Sequence, residues 1–407
     1  MSSGLEQTMG RRDFLRWSGV AGLAAGGSAF MAGSLLAAPA AAAATSLPDR
    51  AGPTDGYEPA GVAVARPANE HPDGVLRLDA NENPYGPSPA CRRAIERSMV
   101  DANRYPIAER KDLIDALARK HGLDRERILP GCGSTELLRA AVSAFAATGS
   151  IVLAHPTYED PVEYSKPHGS EIIRVSLDRE GRHDLLAMER AISKRTRMVY
   201  VCNPNNPTGT LVGGKILEDF TRRVSKRAIV IIDEAYHDYV EDPAYASMVP
   251  LASEGLQVVV TRTFSKIHGL AGLRLGYALG SAKLLERMAA HLTFASASIP
   301  AIHAGLASLR DADFLEHCRG QNAVARKRLS SALVARGYPV FTSNTNFVMF
   351  RLGTNVRALI DDMESRGVRV GRPFPPLDEY CRVSLGTPEQ VERFLSEFDQ
   401  WRQAAAA

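Results

Sequence analysis

The sequence predicts an α/β protein: a mostly parallel β-sheet covered by helices, followed in the chain by a smaller α+β domain. Three observations predict it. Short apolar, β-branched runs alternate with helical stretches through the middle of the chain. The most distinctive polar motifs fall where such a run ends and a loop or helix begins, the edge at which parallel sheets bind ligands. After Ile302 the alternation stops, and a long helical stretch to about Arg336 precedes short strands near residues 347–350 and 382–385.

Residues 1–44 stand apart from the fold. Gly10-Arg11-Arg12-Asp13-Phe14-Leu15-Arg16 resembles a twin-arginine export signal, and an Ala- and Gly-rich apolar stretch follows over residues 20–38. Small residues at 40–44 suit a signal peptidase. The interrupting glycines disfavour a spanning helix, so the expectation is a cleaved signal, no stable membrane anchor and a periplasmic or secreted protein. Because the twin-arginine route carries folded proteins, a cofactor taken up in the cytoplasm would travel bound.

Residues 45–75, rich in Pro, Gly and Ala, read as an extended arm or linker. Residues 105–305 are expected to form the large domain, with 76–104 and 306–402 forming the small one. Leu113, Ile114 and Leu117 mark the apolar face of a helix over 110–121, ended by Gly122. A second helix over 135–145 is opened by the loop 131–134. Strands are expected at 151–154, 172–175, 198–202, 228–232, 258–261 and 275–279, with helices such as 185–192 and 215–224 between them.

Composition bounds the function. The 407 residues are 45% hydrophobic and 23% charged, ordinary for a soluble protein of two domains. The net charge is +3, and residues 1–44 hold three arginines and two acids, so their removal lowers it by one. No basic run is dense enough for a nucleic-acid surface. Cys91, Cys132, Cys202, Cys318 and Cys381 lack metal-site spacing and are odd in number, so no metal site is expected. Cys132 and Cys202 read as small packing residues.

The most informative stretch is Thr263-Phe264-Ser265-Lys266-Ile267-His268-Gly269-Leu270-Ala271-Gly272-Leu273-Arg274-Leu275-Gly276-Tyr277. A lysine among hydroxyls and small residues, with an arginine eight positions on, suits pyridoxal 5′-phosphate (PLP). The lysine would hold the aldehyde as a Schiff base, and the hydroxyls and arginine its phosphate. A lone lysine after a strand is ordinarily a solvated side chain. The weight therefore rests on Gly131-Cys132-Gly133-Ser134-Thr135-Glu136, Asn203-Pro204-Asn205-Asn206-Pro207-Thr208-Gly209 and Asp233-Glu234-Ala235-Tyr236. In this order and spacing the motifs resemble the fold-type I PLP-dependent aminotransferases (class I/II). Asn81-Glu82-Asn83-Pro84-Tyr85-Gly86 and Asn103-Arg104-Tyr105-Pro106 are most similar to the histidinol-phosphate aminotransferase branch. The resemblance runs from about Leu76 to about Phe398. It implies a mostly parallel seven-stranded sheet, a smaller α+β domain and a homodimer with shared active sites.

Each candidate residue answers one need of the cofactor or substrate. Lys266 would hold the cofactor and move a proton at the substrate Cα, which needs a base of lowered pKa. Asp233 ends the apolar run 229–232 and would hold a proton on the pyridine nitrogen. A strand-end aspartate equally caps a turn, but the following Glu-Ala-Tyr favours the cofactor. The resemblance assigns Tyr236 and Asn206 to the phenolic oxygen, although Asn206 also suits a plain turn. Gly133, Ser134 and Thr135 lie where a loop becomes a helix, a place that favours an anion, and Thr263, Ser265 and Arg274 would join them on the phosphate. Relatives often carry an acid at position 135. By resemblance Tyr158 stacks on the ring and Tyr105 reaches the phosphate of the neighbouring subunit; for both, a core aromatic is the alternative. Arg382 matches the fork that clamps the substrate α-carboxylate, with Asn83 and Asn346 close by.

Three places depart from the histidinol-phosphate branch. The arm reads Ala65-Arg66-Pro67-Ala68, without a tyrosine. The substrate-recognising arginine is displaced to Arg369 or Arg372. The segment Thr293-Phe294-Ala295-Ser296-Ala297-Ser298 lacks an asparagine. The implied function is amino transfer between an L-amino acid (aromatic, basic or histidinol-phosphate-like) and a 2-oxo acid. An exported protein is poorly placed for histidine biosynthesis, a cytoplasmic task. The same cup also serves racemases, decarboxylases, lyases and oxidases. A non-catalytic binding protein is the third class, opposed by the complete set of Lys266, Asp233, Tyr236, Asn206, Arg274 and Arg382.

Overall fold

The computed structural model describes residues 74–406. The expected export signal and nearly all of the expected arm lie outside these residues.

Eleven strands are present among them: β1 (Leu76–Leu78), β2 (Ile128–Gly131), β3 (Ser150–His155), β4 (Glu171–Ser176), β5 (Thr196–Cys202), β6 (Ile229–Asp233), β7 (Val258–Thr263), β8 (Gly276–Gly280), β9 (Phe347–Arg351), β10 (Val368–Val370) and β11 (Tyr380–Ser384). Seven form one sheet in the order β2-β8-β7-β6-β5-β3-β4. Neighbours from β4 to β7 run parallel, and β8 is antiparallel to both β7 and β2. This is the mostly parallel seven-stranded sheet implied by the motifs.

Alternate residues of each central strand serve opposite faces. Val230 and Ile232 join Val152, Val260 and Phe264 in one core. Ile229 and Ile231 join Ile151, Leu153 and Val259 in the other. Burial on both faces is why these strands read as unbroken apolar runs. β2 gave no such signal, since only Ile128 and Leu129 precede Pro130. It is an edge strand, where a missing N–H is tolerated.

The helix Ile107–His121 buries Leu113 and Leu117 and stops at Gly122, whose φ of 63° suits glycine. The helix expected at 135–145 begins at Gly133, ends at Ala141 and continues as a π-turn over Val142–Ala146. The single long helix expected after Ile302 is two, Ile299–Leu309 and Ala312–Ala335. Asp311 explains the break: its carboxylate accepts from Phe314 N at 3.4 Å and caps the second helix.

The C-terminal part builds a separate core. β1 pairs with β10 in parallel and β9 with β11 antiparallel, and Gly371 N donates to Arg382 O at 2.8 Å to link the two pairs. Leu76, Leu78, Val348, Phe350, Val383, Phe394 and Phe398 fill this core. Cys91, of the helix Pro89–Ser98, is buried instead with Leu113 and Leu117 against the large sheet. No helix among the described residues is long and apolar enough to cross a membrane.

Register aligns the motifs along one edge. Cys202 lies opposite Asp233, Asp233 opposite Thr261, Thr263 opposite Gly276, and Gly276 opposite Gly131. Segments up to 145 residues apart in sequence thus deliver their loops to one place.

Candidate active site

At one end of this edge lies a cradle for an anion. Arg274 holds a left-handed backbone, φ 55° and ψ 67°, at a cost of about 1–2 kcal/mol for a residue with a Cβ. Its Nη1 donates to Ala271 O at 2.8 Å and to Ser265 Oγ at 3.2 Å. Thr263 Oγ1 donates to Ser265 Oγ at 2.9 Å and accepts from Ser265 N at 3.0 Å. Two glycines permit the approach of the helix Gly133–Ala141. A Cβ on Gly133 would lie 2.5 Å from Arg274 Nη2, and one on Gly276 would lie 2.5 Å from Ser134 N. Gly133, Ser134 and Thr135 open that helix, where N–H groups lack intrahelical acceptors. Guanidinium, hydroxyls and helix start are brought together as the sequence predicts. Glu136, not singled out there, ties this helix to the loop 293–296, accepting from Cys132 N at 2.7 Å and Ser296 Oγ at 2.6 Å.

Asp233 lies in the centre, fully buried at the end of β6. Tyr200 OH donates to it at 2.9 Å and Thr261 Oγ1 at 3.1 Å. Burial raises its pKa to about 6, against the pull of these hydroxyls and the Ala235 backbone. Among the described residues it makes hydrogen bonds but no salt bridge. A buried carboxylate without a cation suits a protonated pyridine. Burial, then Asp160, raises the pKa of Tyr158, with a smaller push from the Asp233 charge, while a hydrogen bond with Thr135 opposes the rise. Tyr158 OH donates to Asp160 Oδ2 at 2.6 Å.

Lys266 reaches in from the loop after β7. Its Nζ donates to Ala80 O at 3.3 Å and Asn81 O at 3.2 Å, and lies 5.7 Å from the centre of the Tyr236 ring. Burial, then the positive charge of Arg382, lowers its pKa to about 8, with Glu82 opposing. Tyr236 OH accepts from Asn81 Nδ2 at 3.0 Å.

The other end is built around Arg382. Nη1 donates to Asn206 Oδ1 at 2.7 Å and Nη2 to Asp79 O at 2.5 Å. Among the described residues, Arg382 Nε is buried without a partner, as is Asn346 Oδ1. The rings of Phe374 and Phe347 lie 4.6 and 5.4 Å from the guanidinium carbon. Burial is the main cause lowering the Arg382 pKa, to about 10. Asn346 Nδ2 donates to Asn81 O at 2.9 Å and Glu82 O at 3.2 Å.

One expected substrate residue is spent on structure, and one expected to serve a neighbour lies away from this chain's own cradle. Asn83 spends its amide on structure: Nδ2 donates to Ile267 O at 2.7 Å and Cys318 Sγ at 3.4 Å, and Oδ1 accepts from Tyr85 N at 3.1 Å. It braces the lysine loop and has no group left for a carboxylate. Tyr105 is not gathered into its own chain's cradle; it is 74% exposed, with its ring 5.8 Å from that of Phe294.

Two functional features escaped the sequence reading. Asn81, at φ 55°, hydrogen-bonds Ser384 Oγ through both its N–H and its Oδ1 while also holding Tyr236. Its signal was there, since asparagine tolerates this backbone and opens a motif. Behind Asp233, Glu234 forms a buried ion pair with Arg262 at 2.8 Å and accepts from Met248 N at 2.7 Å, which anchors the strand end.

The aminotransferase class I and II family matches residues 73–398. The chain belongs to the class I and II aminotransferases. An aromatic amino acid aminotransferase of Thermobifida fusca is 38% identical over 327 residues, which is 80% of this chain and 90% of that protein. A histidinol-phosphate aminotransferase of Brevibacillus brevis is 35% identical over 329 residues, 79% and 89% of the two chains. The solved histidinol-phosphate aminotransferase of Sinorhizobium meliloti, in complex with PLP, is similar with a TM-score of 0.74 at 27% identity, covering 79% of this chain and 88% of that one. The fold is that of the fold-type I transferases, and the activity of this aminotransferase is PLP-dependent amino transfer. Its own residues fit the cofactor: the Gly133–Arg274 cradle admits a phosphate, and Asp233 lacks a cation.

Proposed function

We propose that this aminotransferase takes its amino group from an aromatic L-amino acid and passes it to a 2-oxo acid. One observation carries the reading. Among the described residues, Arg382 is buried against aromatic rings with its Nε unpartnered, and Asn346 Oδ1 of the same site is unpartnered too. A buried guanidinium with a free donor suits a carboxylate. The names of the relatives, aromatic amino acid and histidinol-phosphate aminotransferase, support this donor class.

When bound, PLP supplies a ring that withdraws electrons from the substrate Cα. The chain's residues do the rest. Gly133, Ser134, Thr135, Thr263, Ser265 and Arg274 hold the phosphate. Asp233 would keep a proton on the pyridine nitrogen, and the Tyr158 ring would stack on the cofactor ring. Tyr236 and the Asn206 amide orient the phenolic oxygen. Lys266 would anchor the aldehyde, and its amine, once displaced by the substrate, would move the Cα proton to the cofactor carbon that carried the aldehyde. Arg382 fixes the α-carboxylate, with Asn346 beside it. We extend the proposal to a homodimer in which Tyr105, exposed here, completes the neighbour's cradle, and to export directed by residues 1–44.

The test is an absorbance screen of the purified holoenzyme. Single amino acids and histidinol phosphate are added without oxo acid, and the bound cofactor's spectrum is followed. Aromatic amino acids are expected to convert the aldehyde form to the amine form with one equivalent of 2-oxo acid. Conversion by histidinol phosphate alone would overturn the donor class. Substrate consumption with the aldehyde form restored would instead indicate a racemase, decarboxylase, lyase or oxidase. Sedimentation tests the dimer, and mature protein confined to the native host's cytoplasm would refute export.

A further inference from the structure

We propose that Glu159 is a specificity-determining residue: it holds Arg372 in an ion pair at the substrate end of the site and thereby bars donors with an anionic side chain. This rests on the reading of Arg382 as the carboxylate clamp.

Two arginines were candidates for recognising a substrate anion, and the structure separates them. Arg369 lies on β10 between the buried Val368 and Val370, points away from that core and pairs with Glu364 at 3.0 Å. Arg372 adjoins the site. Its guanidinium carbon lies 4.4 Å from the centre of the Phe374 ring, and the same ring lies 4.6 Å from the guanidinium carbon of Arg382. The charge of Arg372 is felt at Arg382, whose pKa it helps to lower.

Arg372 is not free to bind an anion. Its Nη2 meets Glu159 Oε2 at 2.5 Å, and its Nη1 donates to Pro373 O at 2.8 Å. The partners are 213 residues apart, Glu159 directly following the ring residue Tyr158 and Arg372 preceding β11. The pair therefore spans from the ring end of the site to its carboxylate end. An unpaired arginine here would offer a second fork to a carboxylate or phosphate on the donor side chain. With Glu159 on it, an incoming anion meets a neutral pair and a repelling carboxylate, while an aromatic ring meets neither penalty. Selectivity by repulsion of the wrong substrate follows. Both partners are about half exposed, so the pair contributes little to stability, and Glu159→Gln is expected to fold.

The experiment compares the wild-type holoenzyme with E159Q, R372Q and the double variant. Turnover of L-glutamate and L-glutamine is measured because they differ by one side-chain charge at equal size. L-phenylalanine is the reference donor, and the equilibrium Kd of glutarate, a dicarboxylate that cannot react, is read from the cofactor's absorbance. E159Q is expected to raise the glutamate-to-glutamine ratio of kcat/KM about tenfold and to tighten glutarate by a similar factor. The kcat/KM for phenylalanine should stay within about twofold, and R372Q added to E159Q should erase the gain. An unchanged ratio and an unchanged glutarate Kd would overturn the proposal. So would equal changes for all three amino acids, which a purely structural tie would produce. The clamp reading fails separately, if Arg382→Gln leaves phenylalanine turnover intact, and the glutarate measurement does not depend on which donor is physiological.

Discussion

The two ends of the active site are built by different rules. At the phosphate end the side chains bond one another, and the N–H groups that open the helix Gly133–Ala141 stay open: Arg274 donates to Ala271 and Ser265, and Thr263 and Ser265 bond each other. The carboxylate end is assembled from Asp79, Asn206, Asn346 and Arg382, and it keeps a buried donor and a buried acceptor without partners. The side chains of a cradle for a resident group can be set in place before that group arrives. A subsite for passing substrates must hold bonds in reserve.

Perturbing each end should break the enzyme differently. The largest effect belongs to Lys266, which serves both ends. Lys266→Ala should lower 2-oxo acid formation by more than about 10³-fold in single-turnover assays, while phosphate contacts still retain the cofactor. Substantial turnover would remove Lys266 from the centre of the chemistry.

Arg382→Gln should act on one end only. Loss of a buried, hydrogen-bonded charge partner costs about 2–5 kcal/mol, so kcat/KM for an amino acid should fall at least about 30-fold. Equilibrium dialysis should show cofactor affinity nearly unchanged. Equal losses of both would deny that the two ends are separable.

Asp233 gives a test that needs no turnover. Its folded pKa, about 6, lies above the ordinary 3.8. The apoenzyme therefore binds the extra proton between these values when folded, and stability from this group is present at low pH and lost as pH rises from about 4 to about 6. Over that window, wild-type apoenzyme should lose about 2–3 kcal/mol relative to Asp233→Asn in urea unfolding. Bound cofactor, by supplying the missing cation, should abolish the difference. No relative pH slope would mean that the carboxylate is charged when buried alone.

The smallest effect is expected at Gly133. A methyl there falls 2.5 Å from Arg274 Nη2, on a backbone of φ 75°. Because the arginine tip can shift, Gly133→Ala should weaken cofactor binding about tenfold and leave the KM for the amino acid little changed.

Most of the phosphate end was legible in advance because its parts are local. Lys266 and Arg274 share one short stretch with Thr263 and Ser265, and Gly133 to Thr135 form a single turn. Asp233 was legible because four apolar residues precede it in a strand buried on both faces. The carboxylate end was read less well. Asn83 is spent on Ile267 and Cys318, and Asn81, passed over, holds Tyr236 and Ser384. Neither difference shows in an Asn-Glu-Asn-Pro string, since the choice between the two amides depends on loops about 150–300 residues away. The break at Asp311 was missed for a simpler reason: apolar spacing continues across it, while the cap is a single hydrogen bond.

Sequence by itself determined the alternation of strands and helices, because backbone periodicity acts over a few residues, and its motifs carried the resemblance that implied the seven-stranded sheet, the cofactor and the family. Only the tertiary structure decided which side chains share bonds across the site: Arg382 with Asn206, Lys266 with the Asn81 carbonyl, Glu159 with Arg372. Strand register brings those loops to one edge, and hydrogen-bond reach of about 3 Å then selects partners that no sequence distance specifies.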